Sequence, residues 1–276
     1  MTHDSARISP TAHYTGYAWL AHGLSDPAFA TPTGQFLYRA LGPANRLMRA
    51  AGQPNLDGFL LARHHMIDAV LRAAIERGEI GQVIEVACGL SPRGWRFARE
   101  FGDRVTYVEA DLPGMAAKKR AVLAKAGAGG AHHRVVEIDA TADAGPASVA
   151  ALAETLDPAR GTAIITEGLL NYFDPVAVAK MWRRFAGALA RFPHGLYLAD
   201  LHLAEAAGPV ERLFAGALGV FVRGRIHFHF SDARAAEREL GIAGFRGAEL
   251  IDPSTRELPE LDRTSARFVR VVAAST

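Results

Sequence analysis

The chain has 276 residues, of which 49% are hydrophobic and 22% are charged, and its formal net charge is +2. These proportions are typical of a folded globular protein, and so small a charge gives no reason to expect a nucleic-acid partner. The single cysteine, Cys88, excludes an internal disulfide and is typical of a reducing compartment.

No signal peptide or membrane span is visible in the sequence. The segment from Met1 to Pro10 lacks an apolar core, and the longest apolar run, 213–222, is far shorter than a membrane span. We therefore expect a soluble, cytoplasmic protein with no membrane partner. The sequence does not indicate its oligomeric state.

The first regular pattern along the chain is helical. Residues 1–60 contain scattered aromatic residues in a broken helical rhythm, and we expect them to form a helical cap. An apolar stripe at helical spacing then runs from Leu56 to Ala74 and ends at Gly78. Apolar runs typical of buried parallel strands follow at 82–87, 104–109, 133–138, 161–166 and 195–201. Helical patterns separate them at about 92–101, 113–126, 145–156 and 174–191.

This alternation predicts an α/β fold with a doubly wound, mostly parallel, Rossmann-like sheet. Two further apolar runs, 245–250 and 267–272, have no long helix between them, so one of them is expected to be antiparallel. They bring the predicted sheet to seven strands. We interpret the chain as one domain over 1–276, with an inserted lid over 201–232.

Acidic residues follow the predicted strands, and they indicate which cofactor the sheet binds. A tight turn containing Gly89 ends the first strand, and acids end the next four: Glu109, Asp139, Glu167 and Asp200. Ligands of such sheets lie beyond these strand ends, where four carboxylates would repel a pyrophosphate. The turn is also poor in glycine, and its Pro92 lacks an N–H group. S-adenosylmethionine, which carries cationic groups and ribose hydroxyls, suits this edge better.

Arg63 lies on the apolar stripe of the first regular helix, where an unpaired charge is unfavourable. Its guanidinium could hold the carboxylate of a methionine moiety through two hydrogen bonds. The alternative is an internal ion pair with Asp68 or Glu85.

Four ordered motifs show a family resemblance, namely Arg63 to Asp68, Glu85 to Ser91, Tyr107 to Pro113 with Lys118, and Thr166 to Tyr172. With them the chain resembles the leucine carboxyl methyltransferase family. Within that family it is similar to the O-methyltransferases of bacterial polyketide pathways, of the tetracenomycin carboxyl methyltransferase type. The resemblance implies a class I methyltransferase fold and runs from about Arg63 to Asp200.

The resemblance also implies roles for individual residues. It places Arg63 on the methionine carboxylate, Glu109 on the ribose hydroxyls, and Glu167 with Gly168 near the methionine amino group. The remaining implied cofactor contacts are Ala87, Cys88 and Gly89 in the turn, and Asp139 with the Ala140 backbone at the adenine. Ala87 stands where the family usually has glycine, and Ser91 where many members have aspartate or glycine. Asp111 and Asp139 have the alternative role of helix caps.

The acceptor is less readable from the sequence. The resemblance implies that a tyrosine at or near Tyr172 orients the acceptor. If the acceptor is a hydroxyl, His202 or His229 could act as a general base, whereas a carboxylate acceptor needs no base. In the run 223–230, Arg225 and His227 would share a face with His229, and Tyr17 could line an apolar pocket. The alternative for the run 223–230 is a solvated basic loop, and the alternative for Tyr17 is a place in the core.

The histidine pairs at 64–65, 132–133 and 227–229 lack zinc-ligand spacing, so no metal site is predicted. We interpret the chain as an S-adenosylmethionine-dependent O-methyltransferase. Its expected partner is a small-molecule carboxylate or hydroxyl acceptor, a secondary metabolite. A nicotinamide-dependent oxidoreductase and a non-catalytic, cofactor-binding regulatory protein are the alternatives.

Overall fold

The computed structural model describes residues 10–203 and 229–276. Their centre is a seven-stranded sheet in the order β3-β2-β1-β4-β5-β7-β6. The strands are β1 Gln82–Val86, β2 Thr106–Asp111, β3 His133–Glu137, β4 Thr162–Thr166, β5 Gly195–Leu201, β6 Gly247–Ile251 and β7 Arg270–Ser275. The first five are mutually parallel, and β7 is antiparallel to both of its neighbours, β5 and β6.

Helices cover both faces of this sheet. They are α1 Pro10–Ala21, α2 Pro32–Ala50, α3 Leu56–Glu76, α4 Arg93–Phe101, α5 Pro113–Lys125, α6 Val149–Ala153, α7 Pro175–Leu189, α8 Ala233–Ala243 and α9 Arg263–Ala266. One apolar core contains Trp182 and Phe185 of α7 and the other contains Ile67 and Leu71 of α3. The central strands β1 and β4 are buried throughout, because helices pack on both of their faces.

The long helix α3 has a well-defined start. The Asn55 side chain accepts a hydrogen bond from the Gly58 N–H at 2.9 Å. Gly58 lies against the loop that leads into α9, where a Cβ atom would come within 2.8 Å of Asp262 and Ser265. This anchor sets the position of α3, and Arg63 follows one turn later.

The predicted fold class is confirmed, including the seven strands and the antiparallel member at the end of the chain. Each predicted strand in the first five lies within two residues of the observed one. The single domain, the cap over 1–60 and the lid over 201–232 stay predictions, and residues 204–228 of that lid lie outside the described residues.

Candidate functional site

The turn after β1 contains two residues with positive φ angles. Ala87 and Gly89 have φ angles of 53° and 52°, in the left-handed region that favours glycine. The Gly89 N–H donates to Asp111 Oδ2 at 2.8 Å. Asp111 is the last residue of β2, so it joins the end of that strand to the turn of the neighbouring strand.

Glu109 lies two residues before that strand end and is 0% exposed. Its Oε2 is 3.0 Å from Lys119 Nζ, and its Oε1 is 3.2 Å from His133 Nε2. A Cβ atom at Gly94 would lie 1.9 Å from Oε1, so Glu109 fills the space that the glycine leaves beneath α4. Burial raises the pKa of Glu109, but the charges of Lys119 and His133 outweigh it and hold that pKa below its ordinary value.

Lys119 connects this buried acid to the turn. Its ammonium donates to the Ser91 carbonyl and lies 3.5 Å from the Gly89 carbonyl. Glu109 therefore supports the turn from inside the protein, whereas Asp111 lies at its surface. Lys119, fully buried, makes these contacts, and Lys118 of the quoted motif is only partly buried.

Arg63 joins α3 to the ends of β4 and β5. Its Nε donates to Glu167 Oε1 at 3.1 Å, and its Nη1 donates to Asp200 Oδ2 at 3.0 Å. Asp200 Oδ1 in turn accepts the Gly168 N–H at 2.6 Å. A Cβ atom at Gly168 would lie 3.1 Å from Arg63 Nη2, so glycine is needed here for the guanidinium to fit. Arg63 thus makes internal ion pairs with Glu167 and Asp200 rather than with Asp68 or Glu85, and its role as a ligand contact stays a prediction.

The acids Asp68 and Glu85 form ion pairs with Arg93, which we did not predict as a site residue. Arg93 is 0% exposed and donates to Asp68 Oδ1 at 2.6 Å, Glu85 Oε1 at 2.7 Å and Glu167 Oε2 at 2.5 Å. Glu85 also accepts a hydrogen bond from the Tyr107 hydroxyl at 2.7 Å. A buried arginine with three carboxylate partners holds α3, α4, β1 and the end of β4 in one arrangement.

These contacts keep Glu167 and Arg63 ionised despite their burial. Burial opposes the charged form of Glu167, but the hydrogen bond from His64 and the charges of Arg93 and Arg63 hold its pKa well below the ordinary value. Burial likewise opposes the charge of Arg63, and the carboxylates of Asp200 and Glu167 nevertheless raise its pKa. Glu167 and Arg63 therefore carry opposite charges near neutral pH.

Asp139 and Ala140, the predicted adenine contacts, lie in a partly buried turn after β3. Asp139 Oδ1 accepts hydrogen bonds from the Thr141 N–H at 2.8 Å and the Thr141 hydroxyl at 2.6 Å. The cap of the following helix is Ser148, so Asp139 does not cap α6. Asp111 does not cap α5 either, because the N-cap position there is Leu112.

The predicted acceptor-side residues fall in two places. Tyr172 is 42% exposed and lies in the turn just after Glu167. His202 Nδ1 donates to the Phe268 carbonyl at 3.0 Å, and His229 Nε2 donates to the Phe173 carbonyl at 2.7 Å. These bonds assign a proton to one ring nitrogen of each histidine. His229 is close enough for its charge to contribute to the lowered pKa of His202, although burial is the main cause.

Tyr17 is a residue of α1 whose side chain packs against α2: its hydroxyl accepts from Gln35 at 3.2 Å, and its ring centroid is 5.3 Å from that of Tyr38. These contacts explain the side chain as part of helix packing. Arg225 and His227 lie outside the described residues. Cys88 is buried, which raises the pKa of its thiol well above the ordinary value.

Residues 21–186 match the model of the leucine carboxyl methyltransferase family. This match covers more than half of the chain. The chain belongs to this family. The match begins about forty residues before Arg63, where the four motifs begin, so the family pattern includes part of the N-terminal helices.

Curated relatives of this family member include proteins of mycobacteria. Two proteins of Mycolicibacterium paratuberculosis, each named "Putative S-adenosyl-L-methionine-dependent methyltransferase", are 30% identical over 187 residues and 36% identical over 159 residues. The alignments cover 63% and 57% of this chain, and 59% and 46% of the relatives. The chain thus spans about half the length of the curated relatives that it matches.

Solved structures show the same fold over nearly the whole chain. A protein of Thermobifida fusca, described as a "putative methyltransferase", aligns with a TM-score of 0.67 at 17% identity and covers 98% of this chain and 96% of its own. A DUF574 family protein of Streptomyces avermitilis aligns with a TM-score of 0.61 at 18% identity, covering 98% and 97%. At these identities the likeness establishes the fold of this leucine carboxyl methyltransferase family member.

No helix in 10–203 or 229–276 is long and apolar enough to cross a membrane. Over the same ranges, no group of three or more histidine, cysteine or acidic side chains is arranged to hold a metal ion.

Four residues of the site were missed by sequence reasoning: Asp111, Lys119, Arg93 and His64. Asp111 could have been identified from the sequence. It follows Glu109 by two residues and directly precedes Leu112-Pro113, where α5 begins. No pattern distinguished Arg93 or His64 from ordinary helix residues, because their partners come from distant parts of the chain.

Proposed function

We propose that this chain is an S-adenosylmethionine-dependent O-methyltransferase whose acceptor is a carboxylate or hydroxyl of a small molecule. The observation that carries the proposal is the arrangement of Arg63, Glu167 and Asp200 beside Gly168 at the ends of β4 and β5. It combines a cation for a carboxylate with acids for an ammonium group, as an amino-acid moiety requires. Membership of the leucine carboxyl methyltransferase family supports the same reading.

The charge of the buried cluster supports a cationic ligand. Four carboxylates face three guanidiniums, which gives these seven side chains one net negative charge. These groups are Asp68, Glu85, Glu167 and Asp200 against Arg63, Arg93 and Arg96. S-adenosylmethionine carries a sulfonium, an ammonium and a carboxylate, so its net charge near this cluster is complementary. A dinucleotide would add negative charge instead, which weighs against the oxidoreductase alternative.

Different residues of the chain would bind different parts of the ligand. Arg63 has used Nε and one N–H of Nη1, so its remaining N–H groups, on Nη1 and Nη2, are available to a carboxylate end-on. Glu167 Oε1 and Asp200 would receive the ammonium. Asp111, with its carboxylate at the strand end, is our candidate for the ribose hydroxyls in place of the buried Glu109.

The cofactor, when bound, supplies an electrophilic methyl group on sulfur. The protein's part is to align an acceptor oxygen with that methyl group and to exclude water, because displacement in line depends mainly on positioning. Tyr172, exposed beside Glu167, is our candidate for orienting the acceptor. A carboxylate acceptor needs no base, whereas a hydroxyl would use His202 or His229. We favour the carboxylate, from a secondary metabolite, and a cytoplasmic location.

Calorimetric titration with S-adenosylhomocysteine and, separately, with NADH tests the cofactor. We expect saturable binding of S-adenosylhomocysteine and none of NADH. Transfer of isotope-labelled methyl groups to a panel of aromatic carboxylic acids and phenols tests the reaction. Formation of a labelled product would support the proposed methyltransferase activity. Binding of S-adenosylhomocysteine without transfer to any member of either acceptor class would favour the non-catalytic alternative, and binding of NADH alone would overturn the proposal.

A further inference from the structure

His64 is the one histidine inside the buried charge cluster, and its ring is 0% exposed. Its Nδ1 lies 2.9 Å from Glu167 Oε2 and 2.9 Å from Arg93 Nη2. Its Nε2 lies 3.1 Å from Arg96 Nη1 and 3.8 Å from Asp68 Oδ2. The ring therefore faces two guanidiniums and two carboxylates.

The chemistry of these neighbours settles the tautomer. Each ring nitrogen faces one guanidinium and one carboxylate, and arginine only donates hydrogen bonds. At Nδ1 the carboxylate is within hydrogen-bond distance, with Glu167 Oε2 at 2.9 Å, whereas at Nε2 Asp68 lies 3.8 Å away and only Arg96 is within reach. We therefore place a ring proton on Nδ1, from which it is donated to Glu167 Oε2, and Nε2 accepts from Arg96. Arg93 Nη2 then directs its N–H to Glu167 Oε2 at 2.5 Å rather than to Nδ1.

This hydrogen bond determines which oxygen of Glu167 remains available. Oε2 accepts from both His64 and Arg93, which uses its two lone pairs. Oε1 accepts only from Arg63 Nε among the hydrogen bonds found for it. One lone pair of Oε1 is left for a ligand, and the carboxylate cannot rotate without breaking the bonds to Oε2.

We propose that His64 is a positioning residue that orients Glu167, through its Nδ1–H, toward the amino group of the cofactor's amino-acid moiety. The inference rests on the proposed function, because it assumes that S-adenosyl ligands bind at Glu167. His64 does not touch the ligand itself. The ring also packs on Trp19, with centroids 4.8 Å apart, so a role in packing alone is the competing explanation.

Two substitutions separate the hydrogen bond from the packing. In His64→Asn the amide nitrogen lies near the position of Nδ1 and keeps the donor to Glu167. In His64→Gln the amide lies near the position of Nε2 and keeps a partner for Arg96 but loses that donor. His64→Ala lacks both groups and serves as a second donor-free variant if His64→Gln does not fold. His65→Gln is the matched control, since His65 is the adjacent, partly buried histidine with no contact to Glu167.

Two ligands then report on the two ends of the site. S-adenosylhomocysteine has the amino-acid moiety, and 5′-methylthioadenosine lacks it. We expect His64→Gln and His64→Ala to weaken S-adenosylhomocysteine binding at least about tenfold, and His64→Asn to stay within about threefold of the wild type. The Kd of 5′-methylthioadenosine is expected to be unchanged in all three variants, and both Kd values to be unchanged in His65→Gln.

Equal losses in His64→Asn and His64→Gln, or equal losses for the two ligands, would overturn the positioning role and leave only packing. Failure of the wild-type protein to bind S-adenosylhomocysteine is a different result. It would overturn the proposed function and, with it, this inference. The two failures are therefore distinguishable from the same set of titrations.

Discussion

Arg63 and Glu167 lie 104 residues apart in the chain, and Arg63 Nε donates to Glu167 Oε1 at 3.1 Å inside the protein. The contact joins the second turn of α3 to the end of β4. Because the other Glu167 oxygen is held by Arg93 and His64, this pair is part of a rigid buried cluster rather than a surface ion pair. It explains why Arg63, a charge on an apolar helix face, is stable there.

Arg63→Lys is expected to lower affinity for S-adenosylhomocysteine by about tenfold or more, while the protein remains folded. Lysine keeps the charge but cannot contact Glu167, Asp200 and a ligand carboxylate together. Calorimetry and thermal unfolding measure the two effects. Normal affinity in the variant would remove Arg63 from the ligand site.

Asp111→Asn and Glu109→Gln are expected to have opposite consequences. Asp111→Asn should weaken S-adenosylhomocysteine binding about tenfold with little change in the free energy of unfolding, because the side chain lies at the strand end. Glu109→Gln leaves the buried Lys119 ammonium without its anionic partner, and should cost about 3 kcal/mol of stability.

Urea unfolding and calorimetry on the two variants check this contrast. If Glu109→Gln instead weakened S-adenosylhomocysteine binding at an unchanged free energy of unfolding, Glu109 rather than Asp111 would be the contact to the ribose hydroxyls. The interior position of Glu109 is the reason why its replacement should lower the free energy of unfolding.

Acid is expected to destabilise the protein through the buried cluster. The pKa values of Glu167 and Asp68 are lowered in the folded state: burial opposes this shift, but the contacts of both acids with Arg93 help to outweigh it. Their contribution is therefore complete above the ordinary carboxyl pKa of about 4, and is lost as pH falls from about 5 toward the folded values.

Urea unfolding at pH 7, 5 and 3.5 measures this loss, which should amount to about 1.5 kcal/mol between pH 5 and 3.5. The exposed pair of Arg77 and Glu79 offers a control, since Glu79→Gln should leave the acid limb unchanged. A free energy of unfolding that stays constant down to pH 3.5 would contradict the ionised state of the cluster.

The pH dependence of methyl transfer is expected to separate the acceptor classes. For a carboxylate acceptor the rate should be flat above about pH 6. For a hydroxyl with His202 as base, the rate should rise through a pH below about 6.5, because burial lowers the pKa of His202.

Substitution completes that test. With a hydroxyl acceptor, His202→Ala or His229→Ala should lower the rate about 10²-fold and remove the limb. With a carboxylate acceptor, neither substitution should change the shape of the profile. A histidine limb abolished by one of these variants would therefore decide against the carboxylate that we favour.

The fold was predictable from the sequence because its signals are local. Buried strands such as 162–166 read as continuous apolar runs, and helices such as α7 begin at a cap and a proline, Asp174 and Pro175. The positions of Arg63 and Glu167 were also predictable, because motif and strand end agree there.

The pairing within the site was not predictable. Arg93 carries no local sign that it contacts Asp68, Glu85 and Glu167 together, since only the folded sheet brings them within reach. The choice between Glu109 and Asp111 depends on how far β2 extends, and strand ends are set by hydrogen bonding to neighbours rather than by local composition. Contributions from Arg225 and His227 stay predictions.

A crystal structure of the protein with S-adenosylhomocysteine tests the central claim most directly. The account predicts the ligand's amino group within hydrogen-bond distance of Glu167 Oε1, its carboxylate against Arg63 and its ribose hydroxyls at Asp111. Ligand density elsewhere, or an amino-acid moiety that contacts neither Glu167 nor Arg63, would contradict it.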